Sequence, residues 1–133
     1  MTLSGRAVLL LEDDPLLSAD LAMLLEDFGA TVVGPYRTLA EGLASVEGAL
    51  PAAALLDVEL LDGKSFAVAD RLRAAGIPFL FYSAKGSSGY EAAKTGGAPI
   101  MSKAHPSREA VDRLVEIVGP LDVSVGSASL SSR

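Results

Sequence analysis

A run of apolar residues near the middle of the chain constrains the fold more than any other feature of the sequence. Residues 52–56 read Ala-Ala-Ala-Leu-Leu, and the run ends on a carboxylate, Asp57. Strands that are buried on both faces of a parallel sheet have this continuous apolar character. Ligands of open α/β sheets bind beyond the carboxyl ends of the strands. Asp57 is therefore a candidate reacting group, although an aspartate in this place can also cap a turn.

Strand-like and helix-like segments alternate along the rest of the chain. Short apolar or β-branched runs predict four further strands, at residues 6–11, 31–33, 79–82 and 100–102. Helical spacing predicts helices near residues 16–28, 38–48, 65–75 and 107–118. Residues 84–99 are rich in glycine, so any helix there should be short. This alternation predicts a parallel sheet that is covered by helices on both faces, with right-handed crossovers.

Local signals predict several helix starts and turns. Asp14 is expected to cap the first helix and Thr38 the second, each by accepting a hydrogen bond from the first turn. Ser107 is expected to cap the last helix. The dipeptide at residues 34–35, Gly-Pro, predicts a turn after the second strand, and residues 62–63, Asp-Gly, are expected in a loop.

Composition limits the number of domains and the kinds of partner. The 133 residues, of which 50% are hydrophobic, predict one folded domain at residues 1–119 and a disordered tail at 120–133. A net charge of −6 disfavours direct nucleic-acid binding, because the phosphate backbone repels such a surface. The absence of cysteine excludes disulfides and thiolate metal sites. No segment of the sequence reads as a signal peptide or a membrane span, so the sequence predicts a cytoplasmic protein without membrane association.

Polar side chains follow the ends of the predicted strands. Glu12 and Asp13 follow the first strand, Asp57 the third, Ser83 the fourth and Lys103 the fifth. Clustered carboxylates repel one another unless a cation offsets their charge, and oxygen ligands suit Mg²⁺. A phosphoryl group on Asp57 would carry negative charge that a lysine and a hydroxyl are suited to bind. The sequence therefore predicts a magnesium and phosphoryl site at one edge of the sheet.

These motifs resemble the receiver domains of bacterial two-component response regulators. The resemblance covers about residues 6–118 and rests on Leu-Leu-Glu-Asp-Asp-Pro, Leu-Leu-Asp-Val-Glu-Leu-Leu-Asp-Gly, Phe-Tyr-Ser-Ala and Met-Ser-Lys, in that order. It implies a flavodoxin-like (βα)5 three-layer fold with the strand order 2-1-3-4-5. It also implies that Asp57 is the phosphoacceptor, that Ser83 is the switch hydroxyl and that Lys103 binds the phosphoryl group. The implied Mg²⁺ ligands are the side chains of Glu12, Asp13 and Asp57 and the backbone carbonyl of Glu59.

The function that the resemblance implies is that of a stand-alone signalling module, since the chain ends soon after the fifth helix. A sensor histidine kinase or a phosphotransfer protein would supply the phosphoryl group. The signal would then pass by protein contact or by onward phosphotransfer to a partner that the sequence does not identify. Such a module is not an enzyme with a separate substrate, because its chemistry is limited to self-phosphorylation and slow autodephosphorylation.

The sequence departs from the family pattern at two positions and leaves two alternatives open. Ile100 stands where the family usually has an aromatic switch residue, and Ala104 stands where a proline usually follows the lysine. One alternative is a haloacid dehalogenase-like phosphohydrolase with Asp57 as nucleophile, although that family has Asp where this chain has Glu59. The other is a degenerate receiver that acts as a scaffold. Glu59 and Lys85 are also expected near the site, either paired across its entrance or acting separately.

Overall fold

A computed structural model of the chain describes residues 2–87 and 89–120. The tail predicted at residues 120–133 lies outside these described residues, except for residue 120. The strands are β1 (Ala7–Leu11), β2 (Thr31–Tyr36), β3 (Ala53–Leu56), β4 (Glu59–Leu60), β5 (Gly63–Lys64), β6 (Phe79–Ser83) and β7 (Ile100–Ser102). The helices are α1 (Pro15–Asp27), α2 (Leu39–Gly48), α3 (Phe66–Ala74), α4 (Tyr90–Thr95) and α5 (Ser107–Val118).

Five of the strands form one parallel sheet in the order β2-β1-β3-β6-β7. The two remaining strands, β4 and β5, form a separate antiparallel hairpin. Counted without that hairpin, the sheet has the order 2-1-3-4-5, which confirms the predicted flavodoxin-like topology. Since all five strands run the same way, their carboxyl ends meet at one edge of the sheet.

Two apolar cores lie on opposite faces of this sheet and produce the predicted three layers. Helices α1 and α5 cover one face, and α2, α3 and α4 cover the other. The central strand β3 contributes to both cores, because side chains alternate along a strand. Leu55 packs in the α1/α5 core and Leu56 in the opposite core, and neither is more than 1% exposed. The apolar run that ends on Asp57 is thus the buried central strand that the sequence predicts.

Several local predictions are confirmed. The Asp14 carboxylate accepts hydrogen bonds from the amides of Leu16 (2.9 Å) and Leu17 (3.4 Å), and it caps α1. The Thr38 hydroxyl accepts one from the Glu41 amide (3.0 Å) at the start of α2. Helix α4 is only six residues long.

Three local predictions are wrong in whole or in part. The Gly-Pro dipeptide at residues 34–35 does not end β2, which continues to Tyr36 with an irregular register opposite β1, since proline has no amide hydrogen for the ladder. Residue 62 lies in the turn of the β4-β5 hairpin, as a loop residue would, but residue 63 already begins the second strand of that hairpin. Ser107 is the first residue of α5 and makes no capping hydrogen bond, because Pro106, with φ of −62° and ψ of 154°, occupies the cap position.

None of the helices within residues 2–87 and 89–120 has the length and apolar character of a membrane span.

The central position of β3 predicts a large loss of stability when one of its side chains is truncated. Leu55→Ala removes apolar contacts from a side chain that is 1% exposed, so we expect the free energy of unfolding to fall by about 2–5 kcal/mol. Leu50 lies just before the same strand but is 55% exposed, and Leu50→Ala should change the free energy of unfolding by less than about 0.5 kcal/mol. Urea unfolding of the two variants measures both values, and losses of similar size would contradict the assignment of β3 as the central buried strand.

Candidate functional site at the carboxyl edge of the sheet

The structure brings the predicted site residues together at the carboxyl edge of the sheet. Glu12 and Asp13 follow β1, Asp57 follows β3, Ser83 ends β6, and Lys103 follows β7. Backbone hydrogen bonds fix two of these positions in the ladder. The Asp57 amide donates to the Leu11 carbonyl (2.8 Å), and the Glu12 amide donates to the Tyr36 carbonyl (3.0 Å). The carboxylates are therefore held by the sheet and not by a flexible loop.

The Asp57 side chain is bound at both of its oxygens. Oδ1 accepts hydrogen bonds from the Ser83 hydroxyl (2.9 Å) and from the Glu59 amide (3.2 Å). Oδ2 lies 2.9 Å from the Lys103 ammonium group. Asp57 is only 5% exposed, so these contacts replace most of the water around its charge. A hydroxyl and an ammonium group thus face the candidate reacting atom from two sides.

Lys103 bridges the two buried carboxylates. Its Nζ lies 3.0 Å from Glu12 Oε1 as well as 2.9 Å from Asp57 Oδ2. Burial alone would lower the pKa of Lys103, but hydrogen bonding and attraction to Asp57, with a further contribution from Glu12, raise it above its usual value. The lysine therefore stays charged and partly neutralises the acids.

Repulsion among the acids remains despite this lysine. Burial and the nearby Asp57 charge raise the pKa of Glu12 from 4.5 to about 7, and hydrogen bonds from the Asp14 amide and Lys103 offset only part of this effect. Glu12, Asp13 and Asp57 each present one carboxylate oxygen within 4.8 Å of the others. Clustered oxygen ligands with unneutralised negative charge fit a hard divalent cation such as Mg²⁺. The donor set is therefore suited to the metal that the sequence motifs imply.

The sequence reasoning missed two side chains that support the site. The Ser65 hydroxyl, which is fully buried, donates a hydrogen bond to the backbone carbonyl of Asp57 (2.6 Å). The Arg37 Nε group donates to the backbone carbonyl of Asp13 (3.2 Å). Ser65 is eight residues from its acceptor and Arg37 is 24 from its own, so neither contact has a local sequence signal.

The expected pairing of Glu59 with Lys85 is wrong. No ion pair joins the two side chains, both of which lie in the described part of the chain. Glu59 Oε2 is instead buried without a hydrogen-bond partner among the described residues, whereas Lys85 is exposed. The predicted use of the Glu59 backbone carbonyl as a metal ligand stays a prediction.

The two departures from the family pattern have clear structural settings. Ile100 is half-buried at the start of β7 and packs against the core on the α2, α3 and α4 side. Ala104 is exposed in the loop that follows Lys103, and its amide donates to the Ser102 hydroxyl (3.0 Å). His105, in the same loop, places Nδ1 3.0 Å from a Glu109 oxygen and does not enter the acidic cluster.

This architecture is that of the response regulator receiver domains, and the resemblance predicted from the sequence motifs is confirmed. The chain is 38% identical over 80 residues to the phyllosphere-induced regulator PhyR of Methylorubrum extorquens, a match that covers 58% of this chain and 30% of that protein. The crystal structure of the response regulator PhyR from Brucella abortus is 28% identical, with a TM-score of 0.68 over 85% of this chain and 47% of that chain. The chain thus spans less than half the length of the PhyR proteins that it matches.

A further comparison concerns the fold alone. The receiver domain of a sensor histidine kinase from Pseudomonas aeruginosa is 20% identical, with a TM-score of 0.74 over 88% of this chain and all of that chain. The crystal structure of that domain has a magnesium ion coordinated in its active site cleft. No protein family model matches the chain.

The raised pKa of Glu12 predicts how stability depends on pH without metal. Between pH 4.5 and about 7 the folded state keeps a proton on Glu12 that the unfolded state has lost. We therefore expect the free energy of unfolding to decrease by about 1–3 kcal/mol as the pH rises through this window. Urea unfolding at a series of pH values in the presence of a chelator measures this decrease.

The variant Glu12→Gln provides the control, because it has no proton to lose at this position. Its free energy of unfolding should lack this decrease. Asp62 changes the free energy of unfolding in the opposite direction and at lower pH, because hydrogen bonds from the backbone, chiefly from Leu39, lower its pKa. If the free energy of unfolding has the same pH dependence in the wild type and in Glu12→Gln, then Glu12 is not the titrating group.

Proposed function

We propose that the chain is a phosphoacceptor module of a two-component phosphorelay, in which Asp57 receives a phosphoryl group from a histidine kinase or a phosphotransfer protein. The observation that carries the proposal is the Asp57 carboxylate, which contacts the Ser83 hydroxyl and the Lys103 ammonium group at 2.9 Å each. Two further acids lie beside it. A nucleophile, a hydrogen-bond donor and a cation thus meet at one point.

Asp57, Lys103 and Ser83 each have a role in the transfer of the phosphoryl group. An Asp57 oxygen forms a bond to phosphorus while the bond between phosphorus and the donor's imidazole nitrogen breaks, and the nitrogen keeps the electron pair. The phosphoryl oxygens carry negative charge throughout the step. Lys103 and Ser83 already face Asp57, so they are placed to bind those oxygens and stabilise their charge.

Glu12, Asp13 and Asp57, with the backbone carbonyl of Glu59, are the proposed Mg²⁺ ligands. Bound Mg²⁺ would supply positive charge that neutralises phosphoryl oxygens. The protein's own contribution is to hold the acids in the ladder in spite of their repulsion. Because the pKa of Glu12 is about 7, metal binding at lower pH must displace a proton from it, and the affinity should rise with pH.

The proposed output is contact with another protein or onward phosphotransfer, in the cytoplasm. The net charge of −6 supports protein partners over nucleic acid. The reported structural relatives with the same fold are response regulators and receiver domains, which favours this proposal over a phosphohydrolase. The proposal includes slow self-dephosphorylation but no turnover of a separate substrate.

Replacement of the phosphoacceptor tests the proposal directly. Wild-type protein that is incubated with a small phosphodonor and Mg²⁺ should gain the mass of one phosphoryl group, and Asp57→Asn should stay folded and gain none. Asp70→Asn is the matched control, since this acid is exposed on α3. Intact mass spectrometry and phosphate release measure the outcome. Sustained phosphate release by the wild type would indicate a hydrolase, and an unmodified wild type would indicate a scaffold.

Removal of one acid tests the metal site. Asp13→Asn should weaken Mg²⁺ binding by about tenfold or more, because the site loses a charged ligand. In metal-free buffer the same variant should melt at a higher temperature, since one of the repelling charges is gone. The neighbouring Asp14→Asn is the control, because Asp14 is exposed, lies outside the acidic cluster and can still cap α1 as asparagine. Magnesium titrations followed by NMR should separate the two variants, and equal affinities would argue against this site.

A further inference from the structure

The position of the Lys103 ammonium group depends on a backbone that starts at the edge of the sheet. Lys103 follows β7, a strand of three residues that pairs with β6 and, within residues 2–87 and 89–120, with no other strand. Its side chain reaches past β6 to Asp57, two strands away, and to Glu12 beside it, three strands away. The lysine side chain is a flexible chain of four carbons that can adopt many rotamers. The position of its ammonium group therefore depends on the position of the backbone at residue 103.

The loop after β7, residues 103–106, has few backbone contacts to the rest of the fold. The Lys103 amide donates to the Ser83 carbonyl (2.9 Å), which fixes the start of the loop. The amides of Ala104 and His105 both donate back to Ser102, the last residue of β7 itself (3.0 Å each). Residue 104, directly after the lysine, is alanine, so its φ angle is not fixed as it would be in a proline. Pro106, at the far end of the loop, is held by α5, because its carbonyl accepts hydrogen bonds from the Glu109 and Ala110 amides (2.9 and 3.3 Å). The stretch between Lys103 and Pro106 therefore needs a separate anchor outside β7.

Tyr82 supplies such an anchor. Its hydroxyl donates a hydrogen bond to the carbonyl of His105, 23 residues further along the chain. The ring is 3% exposed and packs in the α1/α5 core, so the hydroxyl approaches the loop from inside the fold. Burial raises the pKa of Tyr82, and the hydroxyl therefore remains protonated and able to donate at neutral pH. Strand β6 thus holds the loop twice, through the Ser83 carbonyl at its start and the Tyr82 hydroxyl two residues later.

We propose that Tyr82 is a positioning residue for Lys103: its hydroxyl fixes the loop after β7 so that the lysine ammonium group is held at the phosphoacceptor. This inference rests on the proposed function of the site. Tyr82 and Ser83 are consecutive, and their side chains point to opposite sides of β6. Ser83 contacts Asp57 directly, whereas Tyr82 acts through the backbone of the lysine loop, and its hydroxyl also lies beside the Ser107 side chain at the start of α5. The hydroxyl makes no contact with Asp57, Glu12 or Asp13 among the described hydrogen bonds.

The variant Tyr82→Phe separates positioning from a general structural role, since it keeps the ring and removes only the hydroxyl. Beryllofluoride, a mimic of the phosphoryl group, would contact the lysine when bound at the proposed acceptor, whereas Mg²⁺ alone would use the acids. We expect Tyr82→Phe to weaken beryllofluoride binding in saturating Mg²⁺ by about fivefold, the effect of one lost hydrogen bond, without weakening Mg²⁺ binding. If Tyr82→Phe lowers the affinities for beryllofluoride and Mg²⁺ equally, or lowers neither, the proposal is wrong.

Two comparisons make the test specific. In a Lys103→Met background the additional change Tyr82→Phe should have no further effect on beryllofluoride binding, because the group that Tyr82 positions is gone. A fivefold loss in that background as well would assign Tyr82 a role independent of the lysine. Tyr36→Phe is the matched control: Tyr36 is half-buried on β2, and its hydroxyl has no hydrogen bond within residues 2–87 and 89–120. It should leave both affinities unchanged.

Hydrogen exchange tests the anchor without any phosphoryl chemistry. In Tyr82→Phe the amides of Lys103 and His105 should exchange about fivefold faster, while the amides of β3 keep their wild-type rates. Unchanged exchange at these two amides would overturn the inference even if the wild type binds beryllofluoride. Failure of the wild type to bind beryllofluoride would instead refute the proposed function, and the exchange rates would still decide whether Tyr82 holds the loop.

Discussion

The repulsion among three carboxylates at one buried edge is the constraint to which the rest of the site responds. Glu12 and Asp57 are each at most 5% exposed, so water screens their charges poorly. The Lys103 ammonium group between them offsets part of the repulsion, yet the pKa of Glu12 still lies at about 7. The fold tolerates this arrangement because both backbones are fixed in the sheet. A site that keeps unneutralised charge in this way is ready to accept a further cation.

The topology explains why these groups meet although they are far apart in the sequence. In a parallel sheet every strand ends at the same edge, and the order β2-β1-β3-β6-β7 places β3 at its centre with β1 and β6 on either side. The acids therefore come from the ends of β3 and its neighbour β1, whereas the hydroxyl comes from β6 on the other side of β3 and the lysine from the segment after the edge strand β7. Asp57 therefore lies beyond the strand ends with the Ser83 hydroxyl at one of its oxygens and the Lys103 ammonium group at the other, in the region where open α/β sheets bind their ligands.

The sequence predicted those features that depend on local pattern and strand ends. The apolar run before Asp57 predicted a doubly buried strand, and the strand-helix alternation then placed Glu12, Ser83 and Lys103 at the same edge. It did not predict contacts between distant residues, such as the Ser65 hydroxyl on the Asp57 carbonyl or the Tyr82 hydroxyl on the His105 carbonyl. The turn expected at residues 34–35 failed for the same reason. Pairing of Tyr36 with Leu11 in the neighbouring strand overrides the local preference of Gly-Pro.

Strand β6 connects the phosphoacceptor Asp57 with the loop that carries Lys103. Ser83 holds Asp57 through its hydroxyl and Lys103 through its carbonyl, and Tyr82 holds the loop that follows the lysine. Because the strand is fully buried, its residues cannot move independently of one another without disturbing the packing on both faces. A displacement of the Ser83 hydroxyl toward a phosphoryl group would therefore reach the loop after β7 through two consecutive residues. With Ile100 in place of an aromatic side chain, β6 itself is the element that joins the phosphoacceptor to the loop after β7, through the hydrogen bonds of Ser83 and Tyr82.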